Sequence, residues 1–208
     1  MTLRPRLFTV ALAVLLPAVI ARADATQLAK DAMVECNSGR DGHERAERLA
    51  HWKKGEELAR QAVAADEKNA NAHFALFCNM GEAKRIDGES LQALVNLGTL
   101  MHELDRTLEL DPNHADALAA KGTLLVRLPK VFGGDTTKGE TMLRKVLTLE
   151  PNAFTSRIGL ARVCEASSRH DEAVTLATRA LEIARSGNRP TKVAEAEAVL
   201  GEIGAKAQ

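Results

Sequence analysis

The side chains that could carry chemistry in this sequence are scattered and form no catalytic pattern. Its six histidines include no pair at helical i, i+4 spacing and no H-E-x-x-H zinc motif. His73 falls at a helix-packing position, where a half-buried histidine with satisfied hydrogen bonds is expected. G-x-S-x-G and G-x-x-x-x-G-K-[ST] are absent, and Gly133-Gly134-Asp135 follows no predicted strand, so it indicates a turn. We therefore expect no enzymatic activity, no catalytic residue, no cofactor and no metal site.

The first 23 residues have the three parts of a secretory signal peptide. A start with two arginines and no acid precedes an apolar run at 7–20, and Ala-Arg-Ala at 21–23 matches the A-x-A cleavage pattern. A membrane anchor is the alternative, but the run is shorter than the roughly 20 residues that a spanning helix needs. We expect residues 1–23 to be a signal peptide cleaved after Ala23. The mature chain would then be periplasmic or secreted, without a membrane span.

The charge balance argues against nucleic acid as a partner. The full chain has 28 lysines and arginines and 28 acidic residues. Loss of residues 1–23 would remove three arginines and no acid, which leaves 25 cations against 28 acids. Nucleic-acid binding needs a clustered basic surface, which this balance does not offer. The remaining residues, 24–208, are enough to bury the core of one domain.

A short helix-end phrase recurs along the chain and predicts an internal repeat. Two copies contain a proline just past an amphipathic stretch, where proline ends a helix because it lacks an N–H donor and clashes with the preceding turn. Aligned on Glu67, Pro112, Pro151 and Arg185, the copies lie 45, 39 and 34 residues apart. The first two spacings exceed the last by 11 and 5 residues, as insertions would.

On this phasing the sequence resembles a tetratricopeptide-repeat (TPR) protein over roughly residues 25–186. That motif places small or apolar residues where helices cross. The corresponding residues are Gly55, Ala59 and Ala62; Leu100, Leu104 and Thr107; Gly139, Leu143 and Val146; and Ala173, Ala177 and Ala180. The resemblance implies an all-α, right-handed superhelix of about four helix pairs plus a C-terminal capping helix. A helical bundle is the alternative all-α interpretation.

The expected repeats span roughly 25–69, 70–114, 115–153 and 154–186, and the capping helix spans 191–206. The expected helices are 25–37, 42–66, 70–86, 89–110, 115–128, 136–149, 154–167, 170–186 and 191–206. Two helix starts have predicted caps: Asp135 before 136–149, and a capping box of Ser168 and Asp171 at 170–186. The residues expected to attach the last helix to its neighbour are Val193, Val199, Leu200 and Ile203.

Two insertions resemble a narrower group. The segment Leu128–Asp135 between two helices, the long helix expected over Gly88–Leu110 and the phrase Leu108–Ala117 are similar to the TPR proteins grouped with the T component of TRAP transporters. That group is similar in turn to the regulators of microtubule dynamics. The resemblance covers roughly 45–185. It implies an exported helper protein with a surface for a ligand or partner.

The first helix of each TPR repeat lines a concave surface on which such proteins bind. The resemblance places there Asn71, Phe74, Cys78, Thr123, Arg127, Ile158 and Arg162. This set suits a protein or peptide segment, or an apolar ligand with an anionic end. Alternatively, Phe74 and Ile158 only pack between helices. We expect a scaffold for a protein or peptide partner. The alternative is a periplasmic small-molecule carrier or TRAP-associated helper, and the oligomeric state is not indicated.

Three cysteines could be small buried hydrophobes, since none has the C-x-x-C spacing of a zinc or thioredoxin-like site. The TPR resemblance puts Cys36 and Cys78 on helices that pack against each other. An oxidising compartment would permit a disulfide between them. Cys164 falls at a core position and is expected to remain a thiol.

Overall fold

The computed structural model describes residues 15–86 and 97–206. All regular elements in these ranges are helical, which confirms the all-α fold class. They are α1 (Leu15–Asp41), α2 (Arg45–Ala65), α3 (Ala70–Arg85), α4 (Leu97–Leu110), α5 (Ala115–Arg127), a 3-10 turn (Lys130–Phe132), α6 (Thr136–Leu149), α7 (Phe154–Ala166), α8 (His170–Ser186) and α9 (Pro190–Lys206). The beginning of the helix predicted at 89–110 lies outside the described residues. Within them, no helix has the length and apolar character needed to traverse a bilayer.

The chain divides into two compact units, unit 1 ending at Pro112 and unit 2 beginning at Asn113. Unit 1 contains α1 to α4, and unit 2 contains α5 to α9. In both units consecutive helices pack as pairs joined by short turns, the TPR-like arrangement that the repeat phasing predicts. The superhelical course over the whole chain stays a prediction.

Unit 1 is held together by small side chains on α1, α2 and α3. The buried residues Ala25, Ala29, Ala32 and Cys36 of α1 recur every three or four positions, which places them along one helical stripe. On α2, Gly55 gives room to the buried amide of Asn79 in α3, because a Cβ at position 55 would overlap that amide. The Asn79 amide donates to the carbonyl oxygens of Ala32 and Ala75, both at 2.9 Å. This single side chain thus connects α3 to α1.

Unit 2 depends on a close helix crossing and on a large apolar core. At Gly122 of α5 and Gly139 of α6 the two backbones approach so closely that a Cβ at either position would contact the carbonyl oxygen of the other. The core continues through α7 and α8, where all three predicted alanines of the last repeat are fully buried. Val199 and Ile203 of α9 cover this core, as predicted for the capping helix.

The helix boundaries differ from prediction at two informative places. α1 runs from Leu15 to Asp41 and not over 25–37; on its N-terminal side, the leucines and alanines between positions 15 and 23 also favour helix. The capping box at Ser168 is wrong. Ser168 has a left-handed backbone (φ 59°), and the N–H of Arg169 donates to the carbonyl of Cys164, so these residues close the end of α7. Asp135, in contrast, caps α6 as predicted by accepting from the N–H of Lys138.

Candidate partner-binding surface

In unit 1 the predicted binding positions lie on α3, and two of the three face the interior. Phe74 is 7% exposed and Cys78 is 1% exposed, whereas Asn71 is exposed. Phe74 lies against Phe77 with ring centroids 5.9 Å apart. The prediction that Phe74 and Cys78 offer a binding surface therefore needs correction, because both are used for packing. The alternative interpretation, that Phe74 only packs between helices, fits its burial.

Cys78 is joined to Cys36 by a disulfide whose Cα atoms are 6.3 Å apart. These are the two cysteines that the sequence hypothesis pairs, and the bridge links α1 to α3. Trp52 of α2 packs on both cysteines and its indole N–H donates to the carbonyl of Cys36 at 3.2 Å. Arg48 lies over the Trp52 ring, 4.9 Å from its centroid. The bridge is therefore part of a buried cluster to which three helices contribute.

Next to the disulfide, the carboxylate of Glu82 accepts from two arginines. Arg40 of α1 donates at 2.7 Å and Arg85 of α3 donates at 2.6 Å. Burial alone would raise the pKa of Glu82, but these hydrogen bonds outweigh it and hold the pKa below its ordinary value. Glu82 thus fixes the position of two exposed cations at the end of α1 and α3.

In unit 2 the predicted binding positions lie on α5 and α7, which contact each other. Arg127 and Arg162 are exposed and Thr123 is half-buried, but Ile158 is only 2% exposed. Ile158 belongs to the core cluster that also holds Leu143 and Leu176. The predicted apolar floor is therefore wrong at Ile158, as it is at Phe74. The exposed side chains of α5 and α7 include these two arginines.

Arg162 has one weak contact within unit 2. Its Nε atom lies 3.8 Å from Oε2 of Glu202 on α9, and the two side chains are 50% and 59% exposed. An exposed pair at this distance contributes little to stability. Folding therefore gives no strong reason for an arginine at this position, and the guanidinium remains accessible to a partner.

His73 of α3 is buried with both ring nitrogens bonded, which confirms the expectation of a satisfied packing histidine. Nδ1 lies 2.7 Å from Oε2 of Glu103 on α4, and Nε2 lies 2.9 Å from the carbonyl oxygen of Glu67. Burial lowers the pKa of His73. The hydrogen bonds to Glu103 and Glu67 and the attraction of the Glu103 charge raise it by more, so it lies above its ordinary value. The imidazolium form satisfies both acceptors.

Sequence reasoning missed an ion network between α6 and α8. Glu140 accepts from Arg144 at 2.8 Å and from Arg169 at 2.6 Å, while Arg144 also donates to Glu172 at 2.6 Å. Cys164 lies beside this network as a buried free thiol. Burial and a hydrogen bond to Glu172 raise the pKa of Cys164 to about 11. A thiol that stays protonated is a poor nucleophile.

The described residues also bear on the presence of a metal site and of a ligand-sized depression. In the described part of the chain, no three His, Cys, Asp or Glu side chains come together as a metal site would require. An open surface depression occurs in unit 2 at the junction of α8 and α9, where Arg185, Arg189 and Val193 form part of its lining. It contains none of the predicted binding residues. Arg185 is bonded there to Glu197 at 2.8 Å.

No protein-family model and no curated protein matches the chain. Solved structures that are similar include "MamA RS-1 ArsTM double mutant", with a TM-score of 0.46 and 15% identity over 86% of this chain and 97% of that one. "Crystal structure of MamA" has a TM-score of 0.46 and 20% identity over 81% and 89%. "MamA 41-end from Desulfovibrio magneticus RS-1" has a TM-score of 0.46 and 14% identity over 85% and 96%. Likeness at this level identifies no family, and the resemblance to the TRAP-associated group gains no support from it.

Proposed function

We propose that this chain is an exported TPR-type scaffold that binds an acidic protein or peptide segment on the inner helices of unit 2. The observation that carries the proposal is the exposure of Arg127 and Arg162 on the first helices of two successive helix pairs. Guanidinium groups bind carboxylates through two parallel hydrogen bonds, so they suit a partner with acidic side chains.

The burial of Phe74 and Ile158 narrows the chemistry of the partner. An apolar ligand would need an accessible apolar floor, and these two side chains are packed inside the protein. The small-molecule carrier therefore draws no support from the described residues. A polar segment that lies across α5 and α7 can use the exposed arginines without displacing any core side chain.

The partner can be identified by photo-crosslinking in the native host. A photoreactive amino acid replaces Thr155, an exposed residue on α7, and in a separate variant it replaces Arg179, an exposed residue on α8. The proposal expects a protein adduct from position 155 and none from position 179. Adducts of equal yield at both positions would show that α7 is not the binding helix.

The role of the arginines is then measured with the captured partner by titration calorimetry. Arg127→Ala with Arg162→Ala should weaken binding by about 1–3 kcal/mol, the range for charge-assisted hydrogen bonds. The matched control is Arg179→Ala, because the Arg179 side chain is 52% exposed and also lies near a glutamate. Normal binding with a much lower melting temperature would make the arginines structural. Normal binding and normal melting would place recognition elsewhere.

Export is proposed from the N-terminal pattern and has its own test. Among the described side chains of α1 the first buried one is Ala25, and the side chain of Arg22, 69% exposed, lies 3.9 Å from Asp66. The buried stripe from Ala25 to Cys36 lies after the proposed cleavage position. N-terminal sequencing of the protein from the periplasmic fraction of a diderm host should read Asp-Ala-Thr-Gln from position 24. An intact Met1 in the cytosolic fraction would contradict export.

A further inference from the structure

The turn between α5 and α6 presents two large apolar side chains to solvent. Val131 is 85% exposed and Phe132 is 49% exposed, although the chain has only five phenylalanines and no tyrosine. Both lie in the 3-10 turn at Lys130–Phe132. Isolated exposed apolar residues are common, but two adjacent ones at the tip of a turn form a protruding apolar point.

The backbone of this turn is held in place by hydrogen bonds. The N–H groups of Phe132 and Gly134 both donate to the carbonyl of Pro129, and the N–H of Asp135 donates to the carbonyl of Leu125 at 2.9 Å. Gly133 has a left-handed φ of 87°, and a Cβ at Gly134 would overlap the carbonyl of Leu128. These contacts hold the backbone of the turn in one conformation, so its apolar tip points in a fixed direction.

Cations surround the apolar tip on both sides in sequence. Lys130 precedes Val131 directly, Arg127 lies four residues before it at the end of α5, and Lys138 follows in the first turn of α6, all three exposed. The only carboxylate between positions 127 and 138 is Asp135, and one of its oxygens accepts from the N–H of Lys138. The apolar tip is thus flanked in sequence by exposed cations, with one carboxylate among them.

We propose that the Leu128–Asp135 turn docks the protein on an anionic lipid surface, with Val131 and Phe132 entering the interface and Lys130 and Lys138 lying among the phosphate headgroups. A protruding tip buries its apolar atoms only in a complementary pocket or in a soft apolar phase. A lipid interface needs no such pocket and accepts apolar side chains beside cations. This docking goes beyond the proposed scaffold function and would attach that scaffold to a membrane without a spanning helix.

The test uses the protein as it accumulates in the expression host and a tryptophan placed at the tip. The only native tryptophan, Trp52, is fully buried, so it supplies a constant background. Phe132→Trp should be quenched by brominated lipids in vesicles of phosphatidylglycerol and phosphatidylcholine in about equal parts. It should not be quenched in phosphatidylcholine alone. The matched control is Val34→Trp, at an exposed apolar position of α1 (61%). Equal quenching of the two variants, or none in either, would overturn the proposal.

Measurements of vesicle affinity separate the contribution of the cations from that of the apolar tip. Each of Lys130→Gln and Lys138→Gln should weaken vesicle binding by about fivefold, corresponding to roughly 1 kcal/mol per cation near an anionic surface. Higher ionic strength should weaken the wild type as well. Lys53→Gln, at an exposed position of α2, should bind as the wild type does. Vesicle binding that survives Val131→Ser with Phe132→Ser would refute docking by the turn. A photo-crosslinker at 132 that captures a protein, with no vesicle binding, would replace the lipid with a protein partner.

Discussion

Replacing Gly139 by alanine should destabilise unit 2, although alanine is the better helix former. An alanine Cβ at position 139 would lie 2.7 Å from the carbonyl oxygen of Gly122 and 2.7 Å from Cγ2 of Val126. Ordinary contacts of a Cβ begin near 3.4 Å, so the helices α5 and α6 would have to separate. The carbonyl oxygen belongs to the backbone and cannot rotate away.

The expected change in the free energy of unfolding is the balance of overpacking and helix propensity. Overpacking of a tight site costs about 3 kcal/mol at the upper end of its usual range, which suits a clash with backbone. The change from glycine to alanine within a helix returns up to about 1 kcal/mol. The net loss in the free energy of unfolding is therefore about 2 kcal/mol. Gly122→Ala should cost less, because its Cβ would lie 3.0 Å from the nearest atoms.

Gly201→Ala is the matched control, since position 201 lies inside α9 and its Cβ would meet nothing within 4 Å. It should raise the free energy of unfolding by about 0.5–1 kcal/mol. Urea unfolding followed by far-ultraviolet circular dichroism measures all three variants. The helix-crossing argument would be refuted if Gly139→Ala unfolds at the same urea concentration as the wild type. A loss of equal size in Gly201→Ala would refute it too.

Three further outcomes are expected. Peptide mapping of periplasmic protein should find Cys36 linked to Cys78, and replacing both by serine should cost about 2–4 kcal/mol of stability; two free thiols would contradict this. Because a disulfide quenches the fluorescence of a neighbouring indole, reduction of the disulfide should raise the fluorescence of Trp52. Unchanged fluorescence would contradict contact between Trp52 and the disulfide. Because the pKa of His73 is raised in the folded state, protonated His73 stabilises the fold fully below pH 6.5, and this stabilisation is lost as the pH rises through the folded-state pKa. Glu103→Gln should therefore flatten the dependence of the free energy of unfolding on pH over that window.

Small residues at close helix crossings could be predicted from sequence because steric limits act on residue type directly. Where two helices cross closely, only small residues fit. Gly139 of α6 lies at such a crossing, and the buried Ala173 and Ala177 of α8 are four residues apart, on one face of that helix. The same holds for Asp135, whose short carboxylate is suited to cap a helix. Small residues at helix crossings and capping residues depend on local geometry, so a single sequence is sufficient to predict them.

Exposure could not be predicted in the same way, because it depends on which element covers a position. The TPR resemblance assigns Phe74 and Ile158 to positions where such proteins bind ligands, yet both are buried here. Ser168 likewise has the residue type of an N-cap, but the preceding helix uses it to end in a left-handed turn. In these cases tertiary contacts decide between two local possibilities that the sequence permits equally.

The Leu128–Asp135 turn shows how structural and surface requirements can be separated within one segment. Its geometry requires Gly133 for the left-handed φ, Gly134 for the close approach to Leu128 and Asp135 for the cap of α6. None of these contacts uses the side chain of Val131, which is 85% exposed, or that of Phe132, which is 49% exposed. Folding alone would accept polar residues at both positions and would gain solubility from them. The apolar tip is therefore best explained by a surface that the protein contacts and not by the stability of its own fold.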